Sequence, residues 1–416
     1  MKEIIIKGNQ PLKGEVTVGG AKNSALPIIC ACLLTKNVMT LKNIPYCTDV
    51  LLMLKIIEEL NVKVNIYDDY VVIDSREIKN QPLLSDEIKK IRGSYYLMGA
   101  LISLFKSVEI AYPGGCSIGK RPIDFHIKGF RALDINVEVL DDSIKLTRDK
   151  IRNTVIKLRK KSVGATINLT LASVFGFGKT KIYNYAKEPE VMDVINFLLH
   201  IGMDIIVFDE FIEINGICES NFSGEYEIIS DRIEAGTYLI IGALLGNIKV
   251  KKVNPSHLES LFLIFDKLDI NYSVIHDEVT VEKKNHIKPF SIVAKEYPGF
   301  PTDLQPIISN LMVKSRSECY INDTIYENRF NYLKEFKKLK VKVDIYQSEA
   351  TILGNDLNEY DIELIGEDLR GTAALVVLSL INDGVVKVKN CENFTRGYVN
   401  FIENLKELGA QIEIVE

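Results

Sequence analysis

The sequence predicts an α/β protein of two domains, built from six copies of a βαβαββ-type unit of about 70 residues, three copies to a domain. Three observations lead there. A small-residue-rich apolar helix recurs at a nearly constant interval, a short strand follows each one, and polar two-residue turns recur at matching offsets. The length agrees, because 416 residues exceed one hydrophobic core and suit two domains of about 200 residues each.

The first helices of the copies begin near Lys22, Arg92, Ser162, Asp231, Thr302 and Asp368. Segments 23–34, 164–175, 233–245 and 371–381 are apolar nearly all round, which predicts burial on every face. Strands follow, for example at 179–183, 247–251 and 385–389. A second helix is amphipathic: Val50, Leu54, Ile57 and Leu60 mark its inner face in the first copy, and Val399, Ile402, Leu405 and Leu408 in the last. A strand–helix–strand unit of this length predicts a right-handed parallel crossover.

Five copies end in a hairpin with the turns Asp68-Asp69, Asp141-Asp142, Asp209-Glu210, His276-Asp277 and Gln347-Ser348. The sixth reaches Glu416 without one, and the spare strand at 2–7 is expected to supply its missing edge. The termini therefore meet in one domain. Residues 22–229 form one domain and 1–21 with 230–416 the other, with two chain crossings and a cleft between them as the expected ligand site.

Composition narrows the function. The net charge of −5, with 47% hydrophobic and 26% charged residues, gives no support to a nucleic-acid or membrane-surface partner. No apolar run approaches about 20 residues and the start Met1-Lys2-Glu3 leads into a strand rather than a signal segment, so a cytoplasmic protein is expected. The seven Cys are odd in number and irregular in spacing, as in a reducing compartment, with Cys30 and Cys32 expected in the core. No Cys/His cluster has zinc spacing, and neither a metal nor a cofactor is expected.

The helix starts carry the candidate chemistry. Helix N-termini present unpaired N–H groups and attract anions. Ser162, Thr302 and Asp231 there read first as N-caps, whereas Lys22, Arg92 and Arg232 oppose the dipole and call for an anion. In the second copy the segment Pro113-Gly114-Gly115-Cys116-Ser117-Ile118-Gly119-Lys120-Arg121-Pro122 replaces a short link with a loop that sets a thiol beside two cations, which favours the thiolate. Arg329 and Arg396 occupy the corresponding junctions of the fifth and sixth copies, and a cluster of Lys22, Lys120, Arg121 and Arg396 would suit a small polyanion.

At these residues the chain resembles the UDP-N-acetylglucosamine 1-carboxyvinyltransferase family. The resemblance runs the whole length, through Gly19-Gly20-Ala21-Lys22-Asn23, Arg92-Gly93-Ser94-Tyr95-Tyr96, the Cys116 loop to Asp124 and His126, Lys161-Ser162-Val163-Gly164, Asp231-Arg232-Ile233-Glu234, Pro301-Thr302-Asp303, Glu327-Asn328-Arg329-Phe330, Asp368-Leu369-Arg370 and Arg396-Gly397-Tyr398. It implies an EPSP-synthase-like pair of inside-out α/β barrel domains. It also implies transfer of the enolpyruvyl group of phosphoenolpyruvate to the 3′-hydroxyl of UDP-N-acetylglucosamine, the first committed step of peptidoglycan synthesis.

By the same resemblance Lys22, Arg121 and Arg396 hold phosphoenolpyruvate. Asn23, Arg92, Arg121, Pro122, Ile123, Asp124, Phe125, Lys160, Ser162, Val163, Gly164, Asp303 and Ile325 contact the UDP-sugar, and Arg329, Asp368 and Arg370 join the substrate-binding set. Cys116 is the proton donor to the methylene carbon and the thiol that fosfomycin alkylates, and Asp303 is the general base. A monomer acting on two small-molecule substrates, with no nucleic-acid or membrane partner, is implied. The chain departs from the family at Asn393-Phe394-Thr395, where His-Ile-Asp is usual, and at Gly93 and Gly371, where Ala is usual. The altered approach to Arg396 is what a UDP-sugar-binding regulatory paralogue without catalysis would carry, and that is the alternative reading.

Overall fold

Six helices are buried along nearly their whole length, and the rest of the fold is arranged to cover them. In the computed structural model, which describes residues 3–114, 123–149, 153–176, 178–315, 317–358 and 361–415, they are Lys22–Cys32, Tyr96–Leu104, Val163–Ser173, Arg232–Leu245, Gln305–Ser315 and Leu369–Ile381. Every residue of Arg232–Leu245 is buried, and only Asn23 escapes in Lys22–Cys32. Buried hydroxyls in such helices can be satisfied within the helix itself. Thr170, Ser173, Thr237 and Ser379 each donate to the carbonyl four residues earlier, at 2.7–2.8 Å.

The repeat leaves a backbone signature. After the second helix of each copy the chain turns through a residue of positive φ: Asn61, Asp134, Gly202, Asp269, Lys340 and Gly409. A left-handed residue at this point ends a helix by letting the next N–H groups turn back on its last carbonyls. Asn43, Asn184 and Asn390 are also left-handed, each directly after the first strand of its copy. Their side-chain amides donate to the carbonyls of Ile228, Leu158 and Gly366 at 2.8, 2.8 and 3.1 Å, locking the neighbouring strand's exit.

Among the described residues each copy has its own sheet, five of four strands and one of three. All five expected hairpins form about the expected turns. Among the described residues a leading strand pairs parallel to the first strand in five sheets, while the second copy shows an isolated bridge between Leu83 and Ile110.

One expectation needs correction. The strand Glu3–Lys7 is not an edge: it lies between Val385–Lys389 and Gln411–Val415, antiparallel to both. Gln411–Val415 is the first hairpin strand of the sixth copy, and the N-terminal strand takes the place of the second, burying Ile4 and Ile6 completely. In the first and fourth copies, moreover, the parallel partner is not the strand that precedes the buried helix in the chain. Leu12–Thr17 precedes Lys22–Cys32 yet pairs with Gly246–Lys251, and Gly224–Glu227 precedes Arg232–Leu245 yet pairs with Val38–Lys42. The chain crossings thus fall between a strand and the helix after it.

The described chain divides into two compact units. One contains residues 3–19 and 230–415, the other 20–114 and 123–229. In the first, a continuous core joins the three buried helices to their sheets through Tyr238, Leu311, Met312, Leu375 and Phe401. The second is filled by Ile29, Leu97, Ile102, Leu171, Phe130 and Phe197.

Candidate active site

In the unit of residues 20–229 the candidate side chains lie at the starts of buried helices. Lys22 opens Lys22–Cys32, whose first turn holds no acidic residue and whose cap position is Ala21. The lysine is buried, and its ammonium lies 2.6 Å from Asp49 Oδ2, on the first turn of Thr48–Glu58. Asp49 therefore supplies part of the negative charge that the helix start calls for. Sequence reasoning missed it, although an acid at the start of a second helix next to a charged first helix was a usable signal. Asn23, one residue on, is half-buried.

Arg92 lies on the 3-10 turn Arg92–Tyr95, its guanidinium 5.7 Å from the centroid of the Tyr95 ring. The Tyr95 hydroxyl in turn packs on Gly164, where an added Cβ would come within 2.5 Å of it. Ser162 caps Val163–Ser173, its hydroxyl accepting from Ala165 N–H at 3.3 Å, as the cap reading expects. Val163 is half-buried and Lys160 exposed. Ile123, Asp124 and Phe125 are half-buried at the start of Asp124–Ala132, with Asp124 paired to Lys128 at 3.2 Å. Cys116, Lys120, Arg121 and Pro122 lie outside the described residues.

His126 is buried on the first turn of the same helix. Burial first, and then the positive charge of Arg92, push its imidazole down to about 3, so it is neutral at any physiological pH.

The unit of residues 1–19 and 230–416 gathers a second set. Asp303, on the 3-10 turn Thr302–Leu304, accepts from Arg329 Nη2 at 2.8 Å through Oδ1, and from Arg370 Nη2 and Nε at 3.2 and 3.3 Å through Oδ2. Both arginine side chains are about 97% buried, while that of Asp303 keeps 26% of its surface open. Burial works against the charge on Arg329, and the carboxylates of Asp303 and Asp368 outweigh it, so the guanidinium is held more firmly protonated than usual. Arg329 Nε and Arg370 Nη1 are buried donors with no partner among the described residues. Each guanidinium thus keeps a donor to spare, although Asp368, Asp323 and Asp231 as well as Asp303 already act on the pair. Spare planar donors of this kind engage a ligand carboxylate.

Around this cluster Asp368 and Asp231 are N-caps, accepting from Arg370 and Gly371 N–H, and from Ile233 and Glu234 N–H. Arg370 lies 4.8 Å from the Tyr398 ring centroid. Ile325 is half-buried, its N–H donating to Asp323 at 2.9 Å. Arg396, half-buried, ends the 3-10 helix Cys391–Arg396. The departure Asn393-Phe394-Thr395 is accommodated there: Asn393 donates to Gly366 O at 3.1 Å, Phe394 is buried, and Thr395 donates to Glu392 O. Gly93 is buried where a Cβ would lie 2.9 Å from Leu26 Cδ1, so glycine permits a close approach there. A surface pocket of about 660 Å³ beside Lys334 and Gln347 is lined by none of the candidate residues. Among the described residues no three His, Cys, Asp or Glu side chains gather as metal ligands, and no helix is long and apolar enough to cross a membrane.

The family model for EPSP synthase (3-phosphoshikimate 1-carboxyvinyltransferase) matches residues 6–405. UDP-N-acetylglucosamine 1-carboxyvinyltransferase 2 of Staphylococcus aureus strain MRSA252 is 39% identical over 415 residues, covering 99% of this chain and 98% of that protein. UDP-N-acetylglucosamine 1-carboxyvinyltransferase 1 of Staphylococcus haemolyticus is 40% identical over 419 residues, with the same coverage. Among solved structures, the enolpyruvyl transferase NikO from Streptomyces tendae superimposes with a TM-score of 0.90 at 23% identity, over 99% of this chain and 98% of that one. EPSP synthase from Acinetobacter baumannii gives 0.75 at 14% identity over the whole of both chains. At these identities the structures speak to the fold.

Proposed function

This chain belongs to the EPSP synthase family of carboxyvinyltransferases, and from that premise we propose that it transfers the enolpyruvyl group of phosphoenolpyruvate to the 3′-hydroxyl of UDP-N-acetylglucosamine, releasing phosphate. Whole-length similarity near 40% to enzymes named for that reaction supports the choice of acceptor. The observation that carries the chemistry is Asp303 held between Arg329 and Arg370, a carboxylate fixed in place beside unfilled guanidinium donors.

In the proposed reaction Asp303 takes the proton of the 3′-hydroxyl as its oxygen bonds to the central carbon of phosphoenolpyruvate. The methylene carbon receives a proton from Cys116, giving a tetrahedral adduct. That carbon then returns a proton to the Cys116 thiolate as the bond from the central carbon to the phosphate oxygen breaks, and inorganic phosphate leaves with the proton held by Asp303. Arg329 and Arg370 suit the substrate carboxylate by their paired planar donors. Lys22, Arg121 and Arg396 are assigned to the phosphate. Asn23, Arg92, residues 121–125, Lys160, Ser162, Val163, Gly164 and Ile325 are assigned to the UDP-sugar. Asp368 acts through the helix start that presents Arg370. The protein works as a cytoplasmic monomer in peptidoglycan synthesis, and fosfomycin inactivates it by alkylating Cys116.

The test is product identification by mass spectrometry. Incubation with both substrates should convert UDP-N-acetylglucosamine to its enolpyruvyl ether; unchanged nucleotide at saturating phosphoenolpyruvate would refute the reading.

A further inference from the structure

A single carboxamide meets three helices in the unit of residues 20–229. Asn168, fully buried in Val163–Ser173, accepts from Gly99 N–H through Oδ1 at 2.7 Å. Its Nδ2 donates to Tyr95 O at 2.8 Å and lies 3.0 Å from His126 Nδ1. Tyr95 and Gly99 are four residues apart at the start of Tyr96–Leu104, so the side chain engages the acceptor and the donor of one helical turn. Gly99 is required by this approach, because a Cβ there would lie 2.3 Å from the Asn168 carbonyl oxygen.

The donors and acceptors fix a proton. Gly99 N–H can only donate, so the atom facing it is the amide oxygen and the atom facing His126 is the NH2 group. His126 Nδ1 must then be an acceptor, which leaves the proton of the neutral ring on Nε2. The imidazole is held edge-on to Tyr95, with ring centroids 4.9 Å apart. Each of the three elements joined here carries proposed UDP-sugar contacts: Arg92 beside Tyr95, residues 123–125 before His126, and Ser162 to Gly164 at the head of the Asn168 helix.

We infer that Asn168 and His126 are positioning residues for the UDP-sugar. Together they set the register of the three segments that contact it and hold the imidazole as a neutral Nε2–H tautomer. The inference rests on the proposed acceptor substrate. The charged and titratable groups facing His126 among the described residues are Arg92 and the Tyr95 phenol from the neighbouring turn and Asp124 from its own helix, with neutral Asn168 on the third side. Burial and Arg92 both disfavour a second proton on the ring.

The tautomer is read without substrate, by nitrogen-15 NMR of imidazole-labelled full-length protein. The expected spectrum has His126 neutral with the proton on Nε2 and no titration from pH 5 to 8. A ring protonated on Nδ1, or one titrating near the ordinary histidine value, would overturn the assignment. Asn168→Asp keeps an oxygen for Gly99 but cannot donate to Tyr95 or to Nδ1, so it should move the proton to Nδ1. It should also raise the KM for UDP-N-acetylglucosamine about tenfold, with the KM for phosphoenolpyruvate and kcat within about threefold of wild type. His126→Leu should share that defect, and His126→Gln, which can still accept from Asn168, should recover part of it. Equal rises in both KM values would reduce the pair to ordinary core packing. Calorimetric titration of wild type with UDP-N-acetylglucosamine separates the two claims. No binding there would sink the functional reading and the positioning role with it, whereas binding unaltered in Asn168→Asp and His126→Leu would sink the positioning role alone.

Discussion

The Lys22 ammonium lies 2.6 Å from the Asp49 carboxylate, and both side chains are about nine-tenths buried. A lysine at a helix start is thereby compensated from within its own unit, before any ligand arrives. Removing either partner strands the other charge away from water. Asp49→Asn should lower unfolding stability by about 3 kcal/mol, measured by urea denaturation of the whole protein. A loss under about 0.5 kcal/mol would place the pair among surface ion pairs.

Asp303 has two roles in this account, base and counter-ion, and they separate experimentally. Asp303→Asn keeps the shape but can neither take a proton nor neutralise Arg329 and Arg370. Its kcat should fall about 10²–10⁴-fold, with UDP-N-acetylglucosamine binding by calorimetry within a few-fold of wild type. Turnover reduced only a few-fold would leave Asp303 as a structural clamp for the arginines.

Arg370→Lys preserves charge and loses the planar fork that meets Asp303 through both Nε and Nη2. Steady-state kinetics should show the KM for phosphoenolpyruvate rising about tenfold or more, a loss of about 1.4 kcal/mol or more. The UDP-sugar KM should change little. Equal effects on both substrates would argue against a carboxylate seat at Arg370.

Glu234 offers a pH test of the chain crossing. Its carboxyl accepts from Gly19 N–H at 3.0 Å, and burial, reinforced by Asp231, raises it from 4.5 to about 8. The folded protein therefore keeps a proton that the unfolded chain releases above about 4.5. Its contribution to stability falls as pH rises from 4.5 towards 8, then levels off. Glu234→Gln retains an acceptor for Gly19 without the titration. It should match wild type near pH 4.5 and exceed it by roughly 5 kcal/mol above pH 8. Stability curves that stay parallel across that range would contradict this reading.

The strand Glu3–Lys7 is an interior strand, so its inward side chains tolerate no charge. Ile4→Asp should cost at least about 3 kcal/mol, whereas Ile5→Thr, at a half-buried position, should stay within about 1 kcal/mol. Equal effects would mean that the strand is not clamped on both sides.

The sixfold repeat was legible because each copy must bury a helix on all sides and pack a second one on a single face, and both demands leave periodic marks in sequence. Positions 22, 92, 162, 231, 302 and 368 show them without coordinates. The exchange of leading strands between the first and fourth copies was not legible, since alternation fixes which face of a strand is buried and not which sheet receives it. The same limit hid the insertion of Glu3–Lys7. At the site, charged helix starts stood out as exceptions to a pattern. Their partners did not: Asp49, Tyr95 and Asn168 are ordinary residue types whose significance comes from contacts that the fold alone creates.

The central claim is enolpyruvyl transfer, and phosphate release measured against both substrates tests it most directly. Purified protein should liberate inorganic phosphate at a steady rate only when phosphoenolpyruvate and UDP-N-acetylglucosamine are present together. It should yield none beyond background with shikimate 3-phosphate as acceptor. No release at saturating levels of the two proposed substrates, from protein that still binds the UDP-sugar, would contradict the account and leave a binding protein on a transferase fold.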